Sequence, residues 1–367
     1  MLKTLLTCIS FCACVIAIAQ NKSPEKKVAG EAYRLKIKAD STQDIAQYIN
    51  QRYTGEVDKV RAIYHWVINN ISYNSDSSRI INAGIDPDAK ITVAFKRRKG
   101  VCENFSAIFN DICRRSGLVS EVINGYTQQS NGVDNVAHSW NAVQVTNVWY
   151  FFDPTWDEKN DSHTIYYMIE PKDFIRTHMP FDPLWQLLEY PIQHEQFYKN
   201  NFSKNSKTPY FNFQDSIIAY RQMDSLNQLK SAIARIEKMT MPNKRVVENY
   251  TLLKSHREMI YQQQQISNFD LAMADLNEAT QHLNKFIHWR NEPANNLRPH
   301  DSLRDILNLV DNKIKSALVK LEEVDRSKAS LVYGTGNARE RIEQLLKKNE
   351  DQKKFLKQYV INDSFKK

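Results

Sequence analysis

The hydrophobic period of this chain changes near residue 200, and no single-layer architecture accommodates both parts. Upstream, helical periodicity alternates with short β-branched and aromatic runs. Val60, Ile63, Tyr64 and Val67 recur at three- and four-residue spacing within 57–70, whereas 120–126, 139–145 and 148–152 have the composition of strands. Downstream, Met223, Leu226, Leu229, Ile233 and Ile236, then Val247, Tyr250, Leu253 and Ile260, then Leu303, Ile306, Val310, Ile314, Leu318, Leu321 and Val324 all follow helical spacing. The pattern predicts an α+β domain over 44–200, with a helix packed on an antiparallel sheet, followed over 201–367 by long helices forming an all-α bundle. Pro242, Pro293 and Pro299 punctuate the helices; the segment 84–88 with Pro87 reads as a loop, and 91–95 as a short helix.

The first 19 residues read as an export signal, with Lys3 ahead of an apolar run and the small-residue triplet Ala17-Ile18-Ala19 at its end. The run is about 14 residues, short of the roughly 20 that span a bilayer. After cleavage no integral membrane segment is expected; residues 20–43 form a polar leader, and the product is periplasmic or extracellular. Of five cysteines, three fall in that signal, leaving Cys102 and Cys113. On one helix they stand about 16 Å apart, beyond disulfide reach. The net charge of +8 lies wholly beyond residue 200, with acidic and basic residues interspersed along helical faces, and together with export this argues against nucleic-acid binding.

Three short segments carry chemistry: Lys99-Gly100-Val101-Cys102-Glu103-Asn104, Ala137-His138-Ser139-Trp140-Asn141 and Phe152-Asp153-Pro154-Thr155-Trp156. Apolar positions Phe105, Ile108, Phe109, Ile112 and Cys113 define a helix from Cys102 to Arg115, ended by Gly117. Cys102 then occupies the first turn, where free backbone N–H groups favour an anionic sulfur and an oxyanion, while Cys113 lies in the core. Gly100 is read as the residue that lets the chain turn into that position. If Val145 and Val148 pair across a two-residue turn, Asp153 faces Trp140, and His138 is its diagonal neighbour on the same side. A carboxylate so placed can orient an imidazole whose other nitrogen faces the sulfur. No cofactor is called for, and a metal is disfavoured because no further cysteine or histidine has ligand spacing to these residues.

Gly-Val-Cys opening a helix, then His-x-Trp-Asn, then Asp-Pro-Thr-Trp resembles the transglutaminase-like superfamily, whose core is a papain-like cysteine, histidine and aspartate arrangement. Residues 63–67 and 70–73 resemble the segment upstream of its cysteine, and 166–168, 173–175, 178–180 and 185–188 resemble the kyphoscoliosis-peptidase branch. The resemblance implies Cys102 as nucleophile, His138 as general base and acid, and Asp153 as orienting carboxylate. Trp140 and Trp156 are candidate walls of a substrate pocket. His178 matches a branch motif without a chemical role and is expected to be structural. Asn104 and Ser106 depart from the glycine and alanine common after Cys-Glu. The implied function is an exported thiol acyl-transfer enzyme, a cysteine peptidase or amidase rather than a crosslinking transglutaminase, acting on a protein or peptide. The competing reading is a non-catalytic scaffold whose helical region binds a protein partner.

Overall fold

The computed structural model describes residues 39–74, 87–130, 132–158, 164–202, 208–292, 299–324 and 329–364. The export signal, most of the polar leader and residues 84–86 of the expected loop lie outside these. Two compact units emerge: one takes the described residues through Gln222 together with Ser231–Tyr250, and the other takes Met223–Lys230 together with the residues from Thr251 onward.

In the first unit, α1 (Thr42–Arg52) begins at a capping box in which Asp44 N–H reaches Ser41 Oγ (3.3 Å) and Ser41 N–H reaches Asp44 Oδ2 (2.9 Å). Helix α2 (Glu56–Asn70) buries Val60, Ile63, Tyr64 and Val67, and β1 (Ser72–Tyr73) follows. Helix α3 (Pro87–Arg97) starts four residues before the predicted short helix; Pro87, read as a loop residue, takes the first helical position, where its missing N–H has no intrahelical partner to lose. Strand β2 (Lys99–Gly100) pairs in parallel with β1, Tyr73 opposite Gly100, and delivers the chain directly into α4 (Cys102–Arg115).

Helix α4 buries Phe105, Ile108, Phe109, Ile112 and Cys113, and it ends at Gly117, whose φ of +84° sits in the region glycine enters without penalty. Then come β3 (Val119–Gln129), β4 (Gly132–Val145) and β5 (Val148–Phe152), joined at the second hairpin by Thr146 and Asn147, both with positive φ, as a two-residue primed turn requires. Strand β6 (His178–Pro180) completes an antiparallel sheet ordered β5-β4-β3-β6. Both β3 and β4 run farther than predicted. Their extensions mix polar residues, including Gln128, Gln129 and Asp134, with Val119, Val133 and Val136, so the alternation is broken while the backbone ladder continues past an irregularity between Tyr126 and Gln128.

The sheet is covered on both faces, and side-chain alternation decides which residue goes where. Val143, Val145 and Phe152 join α1, α2 and α4 in one core, whereas Trp140, Ala142 and Phe151 join Phe174, Leu184 and Trp185 in another. Short helices α5 (Pro154–Glu158) and α6 (Pro171–Phe174), a 3-10 turn (Pro183–Gln186) and α7 (His194–Tyr198) edge the sheet. Helices α8 (Phe213–Gln222) and α9 (Ser225–Ile236) follow.

The second unit is built on α10 (Lys244–Asn291) from Thr251 onward, α11 (His300–Glu322) and α12 (Ala329–Ser364). Ala272, Leu276, Ala279, Leu283 and Phe286 meet Leu303, Leu307, Val310, Ile314, Ala317 and Leu321 in one core, each row stepping by alternating threes and fours. That spacing keeps one stripe of a helix facing its neighbours. Val247, in the part of α10 that belongs to the first unit and placed by the spacing on an apolar face, is 45% exposed. Among the described residues no helix is long and apolar enough to cross a membrane.

Candidate functional site

Four elements meet at Cys102. The sulfur stands at the first residue of α4, half-buried, and Asn104 holds the turn in place by accepting the Val101 N–H at Oδ1 (3.0 Å). Gly100 proves necessary for a different reason from the one its sequence context implies. A Cβ there would stand 2.6 Å from Asn104 Cβ, so the requirement is room beneath the folded-back Asn104 side chain rather than an unusual φ. Ser106, the other departure from the family pattern, turns its hydroxyl back onto the carbonyl of Cys102 (2.9 Å). Its own carbonyl accepts from Asn141 Nδ2 of β4 (3.0 Å), which ties the helix carrying the sulfur to the strand carrying the imidazole.

The register of β4 and β5 has Val145 opposite Val148 and Asn141 opposite Phe152, the parity that sets Asp153 beside His138. His138 Nε2 lies 2.6 Å from Asp153 Oδ2. With Nε2 so engaged, Nδ1 is the ring atom left for Cys102, which is close enough to help raise the His138 pKa. Burial by itself would disfavour the imidazolium, but the Asp153 carboxylate and then the Cys102 thiol outweigh it, and the His138 pKa is pushed up to about 10.

Asp153 is fully buried and takes four hydrogen bonds. Oδ1 accepts the N–H groups of Thr155 (2.9 Å) and Trp156 (3.2 Å) at the start of α5. Oδ2 is shared between His138 Nε2 and His178 Nε2, the latter at 3.2 Å. Burial would raise the carboxyl pKa, but His138 and these donors override it and hold the group below its ordinary range. A latch behind α5 secures the same turn: Tyr64 of α2 donates to Asp157 Oδ2 (2.6 Å) and lies 3.0 Å from the Asp153 carbonyl. Asp157 also accepts the N–H groups of Ile165 and Tyr166, each at 3.0 Å.

The two tryptophans separate. Trp140 is completely buried within the second core, its ring 6.0 Å from that of His138, so it underlies the site as packing. Trp156 remains partly exposed and lies against His138 (5.7 Å) and His178 (4.5 Å) between ring centroids, the only one of the pair with a surface to offer an incoming group. Cys113 sits in the first core, where burial drives its thiol pKa well above the usual range. Tyr73, on the strand preceding the cysteine turn, is close enough that Cys102 adds to a rise in its pKa caused mainly by burial.

His178 is the residue whose place the sequence did not reveal. It arrives on β6, opposite Thr127 of β3, forty positions after His138, and neither spacing nor periodicity marked a three-residue strand. Potential ligand atoms of His138, Asp153 and His178 lie within 4.8 Å of one another, a grouping that ligand spacing alone had disfavoured. A cation there would have to replace both hydrogen bonds to Oδ2.

Residues 43–154 match the family model of the transglutaminase-like superfamily, and the first unit therefore carries a transglutaminase-like domain. Within that superfamily the chain resembles kyphoscoliosis peptidases. The chain is 27% identical over 198 residues to the human kyphoscoliosis peptidase, covering 48% of this chain and 29% of that protein. With the mouse protein it shares 25% over 199 residues, again 29% of the relative's length, so it spans less than a third of either. Among solved structures, the periplasmic domain of TgpA from Pseudomonas aeruginosa aligns at 18% identity with a TM-score of 0.26, over 35% of this chain and 49% of that one.

Proposed function

We propose that the protein is a thiol acyl-transfer enzyme that hydrolyses peptide or amide bonds, with Cys102 as nucleophile, His138 as base and acid, and Asp153 as orienting carboxylate. The observation that carries this reading is one imidazole held by a buried carboxylate at 2.6 Å, with a cysteine at a helix N-terminus close enough to help raise its pKa. Cys102 Sγ adds to the substrate carbonyl carbon, its proton residing on His138 Nδ1. The N–H groups of the first turn of α4 face the oxygen as it becomes negative. Collapse breaks the C–N bond, and His138 returns the proton to the departing amine, leaving a thioester on Cys102. Water then attacks, losing its proton to His138, and the acid is released as the thiol re-forms. Asp153 keeps Nε2–H directed away from the sulfur throughout and offsets the positive ring.

Crosslinking follows the same course to the thioester and differs only in using an amine in place of water. Incubating the enzyme with glutamine-containing peptides and an excess of a primary-amine probe, then separating products by mass, tests the choice. Acid and shortened peptides are expected to dominate, and to vanish with Cys102→Ala; amine adducts without hydrolysis would replace this reading with a crosslinking one. A full biological role retained by Cys102→Ala would instead point to scaffolding.

A further inference from the structure

We propose that His178 is a positioning residue for the thiol site, a neutral imidazole that donates Nε2–H to Asp153 Oδ2 and so fixes which carboxylate oxygen His138 meets. This rests on the triad reading above. Asp153 Oδ1 is already saturated by two backbone N–H groups, but a carboxylate anchored at one oxygen can still swing the other. The His178 bond at 3.2 Å closes that freedom and places Oδ2 against His138.

The tautomer needed for this is set from behind. Thr177 Oγ1 lies 2.8 Å from His178 Nδ1, and its hydroxyl proton has a weaker alternative at the Phe174 carbonyl, 3.4 Å away. When Thr177 donates to Nδ1, the ring proton belongs on Nε2, facing Asp153. The ring itself has no room to turn: it stacks on Phe174 with centroids 4.0 Å apart, meets Trp156 at 4.5 Å and Trp140 at 5.1 Å, and is wholly buried. Its charged and titratable neighbours are Asp153, His138 and Asp134, with the Tyr166 ring 5.6 Å away between centroids. Burial outweighs the attraction of Asp153 and lowers its pKa to about 4, which keeps it uncharged at neutral pH. A second imidazolium here would repel His138; a neutral donor steadies the carboxylate without competing for its charge.

The test compares His178→Phe, which keeps the stack and removes the donor, with His178→Gln, whose Nε2 can still donate. The reading is the rate at which iodoacetamide alkylates Cys102 across pH 5 to 10, alongside thermal stability. His178→Phe is expected to slow alkylation at pH 7 about tenfold, with the rate recovering about one pH unit higher, and His178→Gln to stay within about threefold of the parent. Long-range ¹H–¹⁵N correlations of the parent protein should show a neutral His178 protonated at Nε2. Equal slowing in both variants that follows their loss of stability, an unchanged rate in His178→Phe, or an Nδ1–H tautomer would overturn the proposal. His138→Ala is the control: if it leaves alkylation unaltered, the triad reading itself falls, whereas its loss of reactivity beside an unaffected His178→Phe sinks only the positioning role.

Discussion

Asp153 in the first unit and Asp275 in the second are both carboxylates nearly removed from water, and the two units satisfy them in opposite ways. Asp275, on α10, receives Lys313 at 3.1 Å and Ser316 at 2.7 Å, with Lys320 closing the group, all three from α11. Lys313 is shared with Glu278 at 2.6 Å, so Asp275 is answered by lysine ammonium groups within a small ion-pair network. Asp153 instead draws on two backbone N–H groups and two imidazoles, and no lysine or arginine ion pair to it is found among the described residues. Neutral donors hold the carboxylate still, and its full charge remains directed at His138. A buried acid satisfied by cations fastens helices, whereas one satisfied by dipoles and a titratable ring can bias a proton.

The sharpest way to break this contrast is to neutralise each acid. Asp153→Asn is expected to slow Cys102 alkylation at pH 7 about 10²-fold, in line with the usual worth of an acid–base group. Asp275→Asn should leave that rate unchanged and lower stability by about 2 kcal/mol, because the two lysines are only half-buried and regain water. Alkylation kinetics and chemical denaturation of the two variants decide. An Asp275 variant that impaired the thiol, or an Asp153 variant that only destabilised, would erase the distinction.

Proton linkage gives a second, smaller separation. His138 is held at about 10 against an ordinary value of about 6.5, so its stabilising contribution is complete below about pH 6.5 and fades as pH rises toward 10. His178 and His194 are lowered to about 4 by burial, so they weaken the fold as pH falls from about 6.5 toward 4, where the unfolded chain takes up protons the native state refuses. The first unit should therefore be most stable near about pH 6.5. Among the described residues of the second unit no histidine is buried, and Asp275, held below its ordinary range, keeps its contribution until the solution is more acidic than about pH 4. Hydrogen exchange followed by mass spectrometry, corrected for intrinsic rates, should show protection peaking with pH in the first unit and flat from about pH 5 to 9 in the second. Parallel profiles would mean that the histidines are not the source.

What the sequence made legible follows the same division. Local signals sufficed where a residue's partner is close along the chain: the α4 limits, the hairpin register and the placement of Asp153 beside His138 all follow from period, turn length and alternation. The long helices were visible for the same reason, since a stripe at three- and four-residue steps survives without knowing what covers it. Hidden were the features joined by distance. His178 reaches Asp153 from a three-residue strand, Tyr64 reaches Asp157 across ninety-three positions, and the β1–β2 pair is two residues long. None of these leaves a periodic trace. Trp140 and Trp156 are alike in sequence context, and only burial separates the packed ring from the partly open one.

The mildest probe of the comparison uses two glycines. Around Gly100 the first unit depends on a close approach: a Cβ would stand 2.6 Å from Asn104 Cβ and 2.9 Å from its Oδ1, on the turn that sets Cys102. Gly336 lies inside α12 of the second unit with nothing within 4 Å of a built Cβ. Alanine should therefore have opposite signs at the two positions. Gly100→Ala is expected to destabilise by about 1 to 2 kcal/mol through overpacking and to slow alkylation, with Asn104→Gly restoring part of both losses because it removes the atom that is struck. Gly336→Ala should stabilise by about 0.5 kcal/mol, the helical preference of alanine without a steric penalty. Denaturation midpoints and a double-mutant cycle at positions 100 and 104 measure these directly. Strict additivity in that cycle would show that Gly100 is held to glycine by something other than Asn104, and the link drawn between that side chain and the thiol turn would have to be abandoned.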